Sequence, residues 1–363
     1  VTTFIGGDEN LKVVRGWLDE CQSNHAFCRR NDHAETPLPT RLVKIVDDES
    51  AQLVETQGQN GRYVALSYCW GPNPGDNSMT MTDNVHLRLQ PRSLPRKDLP
   101  GAIRDALTVT ERLGVEYIWV DALCIIQDDA KDKDRELGNM SQYYRSSFLT
   151  IAASTPRCST GFIRTRGRCQ KHPDSPLPRD LVPFNVFCES RDKDEGKSGQ
   201  LLVREETPYL LSEEDIHKRA WTLQEGFLAP RYLFFGRRTE LERTRREFQI
   251  ELNKIKRDET DGGSLSTETA DSACDQGIYN LWHRVVGSYS RRALTHQEDK
   301  LPAISAMAKE LAGLTGDQYL AGLWRSNLPW DLLWSTPNAV TQRPDVWRAP
   351  SWSWASVKDT VLY

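Results

Sequence analysis

Tyr117 to Asp128, YIWVDALCIIQD, is the most apolar run of an otherwise polar chain. It opens on Tyr117, Ile118, Trp119 and Val120, β-branched and aromatic types that fit a pleated, buried surface. Apolar residues do not alternate with polar ones, and a helical pattern lies on either side. This combination predicts a central parallel strand over 116–121, covered on both faces, in an α/β sheet. Ligands of such sheets bind beyond the carboxyl ends of the strands. Asp121 and the residues after it are therefore the first candidates for chemistry.

The chain has 363 residues, more than one compact core holds, which predicts one large domain with additions or two domains. A formal charge of -4 and a pI near 6.1 leave no electrostatic footprint for nucleic acid. No apolar run reaches the roughly 20 residues a membrane span needs. No basic stretch followed by an apolar one opens the chain, so a cytoplasmic location is expected. In that setting the eight scattered cysteines read as reduced, buried or site thiols.

Asn10 to Cys28 has helical spacing, with Leu11, Val14, Leu18 and Cys21 on one face. It also carries Cys21, His25 and Cys28. These are either three zinc ligands, with His33 as a fourth, or residues of a buried amphipathic helix. The absence of a C-x-x-C pair favours the helix. Arg41–Val46 and Gln52–Glu55 predict a hairpin, Tyr63–Tyr68 a strand, and 72–98 a long surface excursion. Leu99–Gly114 is the clearest helix, with Gly114 placed to end it. Strand 63–68, helix 101–113 and strand 116–121 then form a right-handed βαβ unit. After a charged loop over 128–134 a helix follows, with Leu137, Met140 and Tyr144 inward. Phe148–Ala153 is a third strand.

Residues 156–199 read as an insertion with one strand at Val182–Cys188. Ile216–Leu228, IHKRAWTLQEGFL, is a helix that sets Trp221 and Glu225 on one face, flanked by Arg219 and Gln224. Tyr232–Phe235 is a fourth strand, and the composition of 253–276 predicts a mobile linker. Two helices follow, around Ile278–Tyr289 and Leu301–Leu311. Six of the chain's tryptophans crowd its last part: Trp324, Trp330, Trp334, Trp347, Trp352 and Trp354. Such a cluster is a base-stacking platform or a core plug, and without a basic surplus the plug is expected.

No G-x-S-x-G, Walker A loop or H-E-x-x-H is present, and no GxGxxG follows the first strand. What remains is a polar set that the strand order should gather at one edge: Ser67, Tyr68, Cys69, Trp70, Asp121, Gln127, Asp128, and the Arg219/Trp221/Gln224/Glu225 face. An acid buried beside an indole and an arginine is either a functional site or a structural ion-pair network.

The segments YVALSYCWG, LPGAIRDALTVTERLGVEYIWVDALCIIQDD, TIAAS and RAWTLQEGFLAPRYLFFG together resemble the HET (heterokaryon incompatibility) domain of filamentous fungi. WLDEC-x3-H-x2-C, LPTRL, YSRRALTHQEDKLPAISAMA, YLAGLW and PSWSWAS are similar to the flanking parts of that architecture. The resemblance implies a role in non-self recognition and programmed cell death. It also implies a distant likeness to TIR domains, some of which cleave NAD. On that likeness Leu66-Ser67-Tyr68 matches the end of the first TIR strand, Asp121 the end of the second, and Trp221-x3-Glu225 the helix that carries the catalytic glutamate. The stretch 154–216 is far longer than its TIR counterpart.

The fold implied is α/β, a TIR-like (flavodoxin-like), mostly parallel sheet with long insertions and a helical, Trp-rich C-terminal extension. Its parts would be an N-terminal helix and hairpin over 1–60, the core over 61–252, the linker over 253–276 and the extension over 277–363. The activity implied is cleavage of NAD on self-association or on meeting a recognition partner, with NAD as substrate and no cofactor or metal required. Glu225 would be catalytic. Ser67, Tyr68, Cys69, Trp70, Asp121, Trp221 and Gln224 would contact the substrate, and Arg219 would meet its pyrophosphate. The alternative is a non-catalytic signalling and interaction module in which Glu225 is structural.

Overall fold

The apolar runs become the strands of one seven-stranded sheet. The structure is a computed structural model and describes residues 4–5, 7–24, 36–71, 79–165, 181–188, 197–204, 214–236, 267–338 and 341–363. The sheet strands are β1 (Arg41–Ile45), β2 (Ser50–Glu55), β3 (Val64–Tyr68), β4 (Leu94–Pro95), β5 (Tyr117–Trp119), β6 (Leu149–Ala153) and β7 (Tyr232–Phe235). Their spatial order is β7-β6-β3-β5-β1-β2-β4. β7, β6, β3 and β5 run parallel, with Val64 opposite both Leu149 and Ile118. β1, β2 and β4 are joined through antiparallel pairs. Every residue of β3 and β6 is buried, which is why neither strand alternates in sequence.

The opening run does lie at the middle of the sheet, but its strand is only three residues long. Asp121–Cys124 leaves it as a helical turn. Val120 is still extended, and its carbonyl accepts from Leu123 and Cys124 N–H, so the chain turns where the ladder ends. The expected N-terminal hairpin forms, closed by Asp47, whose Oδ1 accepts from Glu49 N, Ser50 N and Ser50 Oγ at 3.1, 2.8 and 2.7 Å. It is continuous with the main sheet, because Val43 pairs with Ile118. The sheet is therefore mixed and mostly parallel, as expected, with β1 and β2 held antiparallel to each other by their short loop.

Helices cover the parallel half. α1 (Asp8–Asn24) buries Leu11 and Val14, and its half-buried Cys21 accepts from Arg231 Nε at 3.3 Å. His25, Cys28 and His33 lie outside the described residues. α2 (Gly101–Arg112) buries Ala102, Ile103, Ala106, Leu107 and Val109. Gly114 follows at φ +75°, the left-handed position a glycine ends a helix with. α3 (Ala130–Ser146) starts inside the stretch that composition assigns to a charged loop, because Asp129 caps it, accepting from Lys131 N and Asp132 N at 2.9 and 3.2 Å. Under α3 lies a buried ionic group: Arg41 with Asp132, and fully buried Glu136 accepting from Tyr143 Oη at 2.8 Å.

The insertion holds two strands where one was expected, Leu181–Cys188 paired in full register with Lys197–Arg204. Polar Lys197, Ser198 and Gln200 conceal the second in sequence. Ile216–Leu228 is also not one helix: a 3-10 turn, Asp215–Lys218, precedes α4 (Trp221–Leu228). α5 (Thr267–Ser290) begins within the stretch read as a linker, and residues 253–266 are outside the described set.

With α6 (Pro302–Thr315), α5 builds a second core around Trp282, Trp324, Trp354 and Tyr289. Trp282 and Trp354 each donate Nε1 to the Gly322 carbonyl at 2.9 Å. A Cβ on Gly322, at φ +105°, would stand 2.6 Å from Trp354 Nε1. The plug therefore consists of Trp324 and Trp354. Trp330 and Trp347 are 59% and 78% exposed.

Candidate active site

β3 ends in Ser67, Tyr68, Cys69 and Trp70, and β5 delivers Asp121 beside them. The Trp70 indole donates to Asp121 Oδ2 at 2.9 Å, and Ala122 N–H donates to Oδ1 at 2.7 Å. The 3-10 turn brings Arg219 to the same place, where its guanidinium donates to the Tyr68 carbonyl. α4 then opens at Trp221, and one turn later Glu225, only 5% exposed, points back under the turn. These residues come from four separate elements of the chain and meet at the carboxyl edge of β3 and β5.

Above them is a cleft of about 630 Å³. One wall holds Cys69, Trp70, Asp121, Arg219, Trp221 and Glu225. α3 supplies Lys133, Leu137 and Met140, and the segment 293–299 supplies a further wall that includes His296 and Asp299. Trp221 Nε1 donates to Asp299 Oδ2 at 3.1 Å. The backbones of Lys218, Ala220 and Ala293 are hydrogen-bonded to one another, and Arg292 donates to the Arg219 carbonyl at 3.2 Å. The C-terminal part thus holds the turn that carries Arg219.

Burial pushes the Glu225 carboxyl up to about 7, against the opposing pull of Arg219. The Ser67 and Tyr144 hydroxyls act with Arg219, and the neighbouring Asp121 charge acts with burial. Ser67 Oγ, fully buried, makes no well-formed hydrogen bond among the described residues and lies against this carboxyl. Burial likewise raises Asp121, offset by Arg219, the Ala122 N–H, the Trp70 indole and the Tyr68 hydroxyl. Burial raises Tyr68 well above the usual phenol range, with Asp121 adding to it. Cys69 is pushed up to about 11 by burial and so is a thiol at neutral pH, not an activated nucleophile.

Most of the residues picked from sequence are together here, in two layers. Cys69, Trp70, Asp121, Arg219, Trp221 and Glu225 face the cleft, while Ser67 and Tyr68 lie behind Glu225 and Asp121. Gln224 is buried and does not line the cleft. Sequence reasoning missed Tyr144 as a neighbour of Glu225, and Lys133, His296 and Asp299 as lining residues. The THQEDK segment held the only signal for the last two. Among the described residues no group of three or more His, Cys, Asp or Glu is placed to hold a metal ion.

Fold and site define an α/β protein with a buried and a half-buried carboxylate beside a single arginine in a cleft at the strand ends. The model of the heterokaryon incompatibility protein family (HET) matches residues 63–225, and the chain carries a HET domain over that stretch. The matched stretch runs from the start of β3 to Glu225 itself. It supports a role in heterokaryon incompatibility and its cell-death response. No curated protein and no solved structure matches the chain. Among the described residues no helix is long and apolar enough to cross a membrane.

Proposed function

We propose that the cleft hydrolyses NAD at the nicotinamide N-glycosidic bond and that this activity, switched on by self-association, is the chain's part in cell death. The observation that carries the reading is the meeting of Glu225 with Ser67, Asp121 and Arg219 at one sheet edge. The four parallel strands add to it. In space they run β5-β3-β6-β7, that is second, first, third, fourth in chain order, which is the flavodoxin-like order with a ligand crevice where the order reverses. A TIR-like sheet has the same arrangement.

The chemistry needs one well-placed carboxylate. When the C1′–N bond breaks, its electron pair neutralises the pyridinium nitrogen, so the leaving nicotinamide needs no proton. The positive charge moves to the ribose ring, where Glu225 stabilises it. Water then bonds to C1′ and releases its proton through Glu225 to solvent, giving ADP-ribose. A carboxyl poised near neutrality suits both steps. Trp70 and Trp221 offer faces for a ring, and Asp121 an acceptor for ribose hydroxyls. Concentrated protein incubated with NAD should release nicotinamide, measured by chromatography, and Glu225→Gln should release at least about a thousandfold less while keeping its secondary structure by circular dichroism. Equal release by both proteins would refute the assignment.

One observation favours the non-catalytic alternative. Arg219 donates to the Tyr68 carbonyl and interacts with the charges of both carboxylates, as in an electrostatic network that serves the fold alone. Under that reading Glu225→Ala leaves cell death unchanged when the chain is expressed in a host that the wild type kills.

A further inference from the structure

The cleft's cations are not equivalent. Arg219 donates to the Tyr68 carbonyl and interacts with the Glu225 and Asp121 charges, at the carboxylate end of the cleft. Lys218, at the rim, is paired with Asp215 at 2.7 Å. Lys133 is half-buried, lines the cleft, and among the described residues its ammonium makes no ion pair or hydrogen bond. An ammonium that lines a cleft without a described partner is an unfilled anion site.

Its position on α3 says what kind of anion. Lys133, Leu137 and Met140 follow one another at helical spacing along the cleft face, and Tyr144 continues that face to the Glu225 carboxyl. Lys133 and Tyr144 are eleven residues apart, roughly 16 Å along the helix axis. A long lysine stem spans part of that distance. The cleft is thus two-ended, with carboxylates at one end, an apolar strip in the middle and a single cation at the other. A ligand that fits has a cationic or charge-developing centre at one end and an anionic group a few bonds away.

We propose that Lys133, not Arg219, holds the diphosphate of a dinucleotide substrate, with the ribose and its leaving ring over Glu225. This rests on the hydrolase reading of the same cleft but is tested apart from it, by binding. Lys133 lines the open cleft with no described partner, so Lys133→Gln and Lys133→Glu should fold as the wild type, checked by melting temperature. Calorimetric titration of the full chain with ADP-ribose and with adenosine reads the subsite directly. The wild type should bind ADP-ribose at least about tenfold more tightly than adenosine. Lys133→Gln should lose about tenfold in ADP-ribose affinity and Lys133→Glu more, with adenosine unaffected. Unchanged ADP-ribose binding by Lys133→Gln, or a wild type that does not distinguish the two ligands, overturns the proposal. Lys133-dependent ADP-ribose binding without NAD turnover upholds the subsite and removes the hydrolase reading. NAD turnover with the same KM in Lys133→Gln does the reverse.

Discussion

The two sides of the cleft are built by opposite means. The sheet side gathers charge: buried Glu225 with half-buried Asp121 and Arg219 at the strand ends, and buried Arg41, Asp132 and Glu136 under α3. The C-terminal side also buries Asp331 and Lys300, but its core is built of neutral aromatic rings, with Trp282 and Trp354 sharing the Gly322 carbonyl and Trp324 packed edge-on to Trp282. Buried charges are stable only when paired, and they hold pKa values away from their solution range. Buried indoles with a hydrogen bond supply stability without such frustration. The comparison teaches a division of labour. The C-terminal core gives the rigid backing, through Ala293, Arg292 and Asp299, against which the sheet edge can hold poised carboxylates.

The sharpest way to break this comparison is on the charged side. Glu225→Gln should lower NAD turnover by a thousandfold or more, about 4 kcal/mol of transition-state stabilisation, with secondary structure intact by circular dichroism. Retained turnover would make the charged wall merely structural. On the aromatic side, Gly322→Ala forces a methyl into the Trp354 ring and strains a left-handed backbone. A loss of about 3 kcal/mol in denaturant unfolding is expected, together with reduced turnover, because the backing loosens. Unchanged stability would mean that the indoles do not depend on the shared carbonyl.

The frustration itself can be titrated. Glu225 ionises near 4.5 when unfolded and at about 7 when folded. Between these values the folded chain keeps a proton that the unfolded chain has released, so stability falls as pH rises through that window. Glu225→Gln removes this loss. The variant should gain up to about 3 kcal/mol over the wild type at pH 8 and little at pH 4, seen as a melting-temperature difference that grows with pH. Turnover by the wild type should rise through pH 7 as the carboxyl ionises. The smallest effect is expected at the join of the two sides. Asp299→Asn keeps the shape but weakens the acceptor for Trp221, and should lower turnover about tenfold, roughly 1.4 kcal/mol, without changing stability. An unaltered rate would detach the C-terminal side from the chemistry.

Much of the fold can be read from neighbouring residues alone. Tyr232–Phe235 is the strand its four apolar residues predict, and α2 ends at the glycine placed to end it. The gathering of Ser67, Asp121, Arg219 and Glu225 was also legible, since strand ends in an α/β sheet share an edge. What was not legible came from long-range partners. Ile118 pairs with Val64 on one side and Val43 on the other, so the central strand is parallel to one neighbour and antiparallel to the next. No pattern within YIWV records the direction of its partners. Gln224 looked like a site residue because it adjoins Glu225, yet one step along a helix turns a side chain by about 100° and carries it out of the cleft.

The sequence by itself determined where strands and helices form, which family the central stretch belongs to, and that Glu225 belongs near the Asp121 edge. These follow from periodicity, capping and motif, which are properties of adjacent residues. Tertiary structure alone decided that Arg219 donates to a backbone carbonyl beside two carboxylates, that Trp221 leans on Asp299 seventy-eight residues away, and that Lys133 is left without a described partner. Charge, burial and pairing depend on which distant surfaces are pressed together, and a pKa of about 7 for a glutamate arises only when that packing takes its carboxyl out of water.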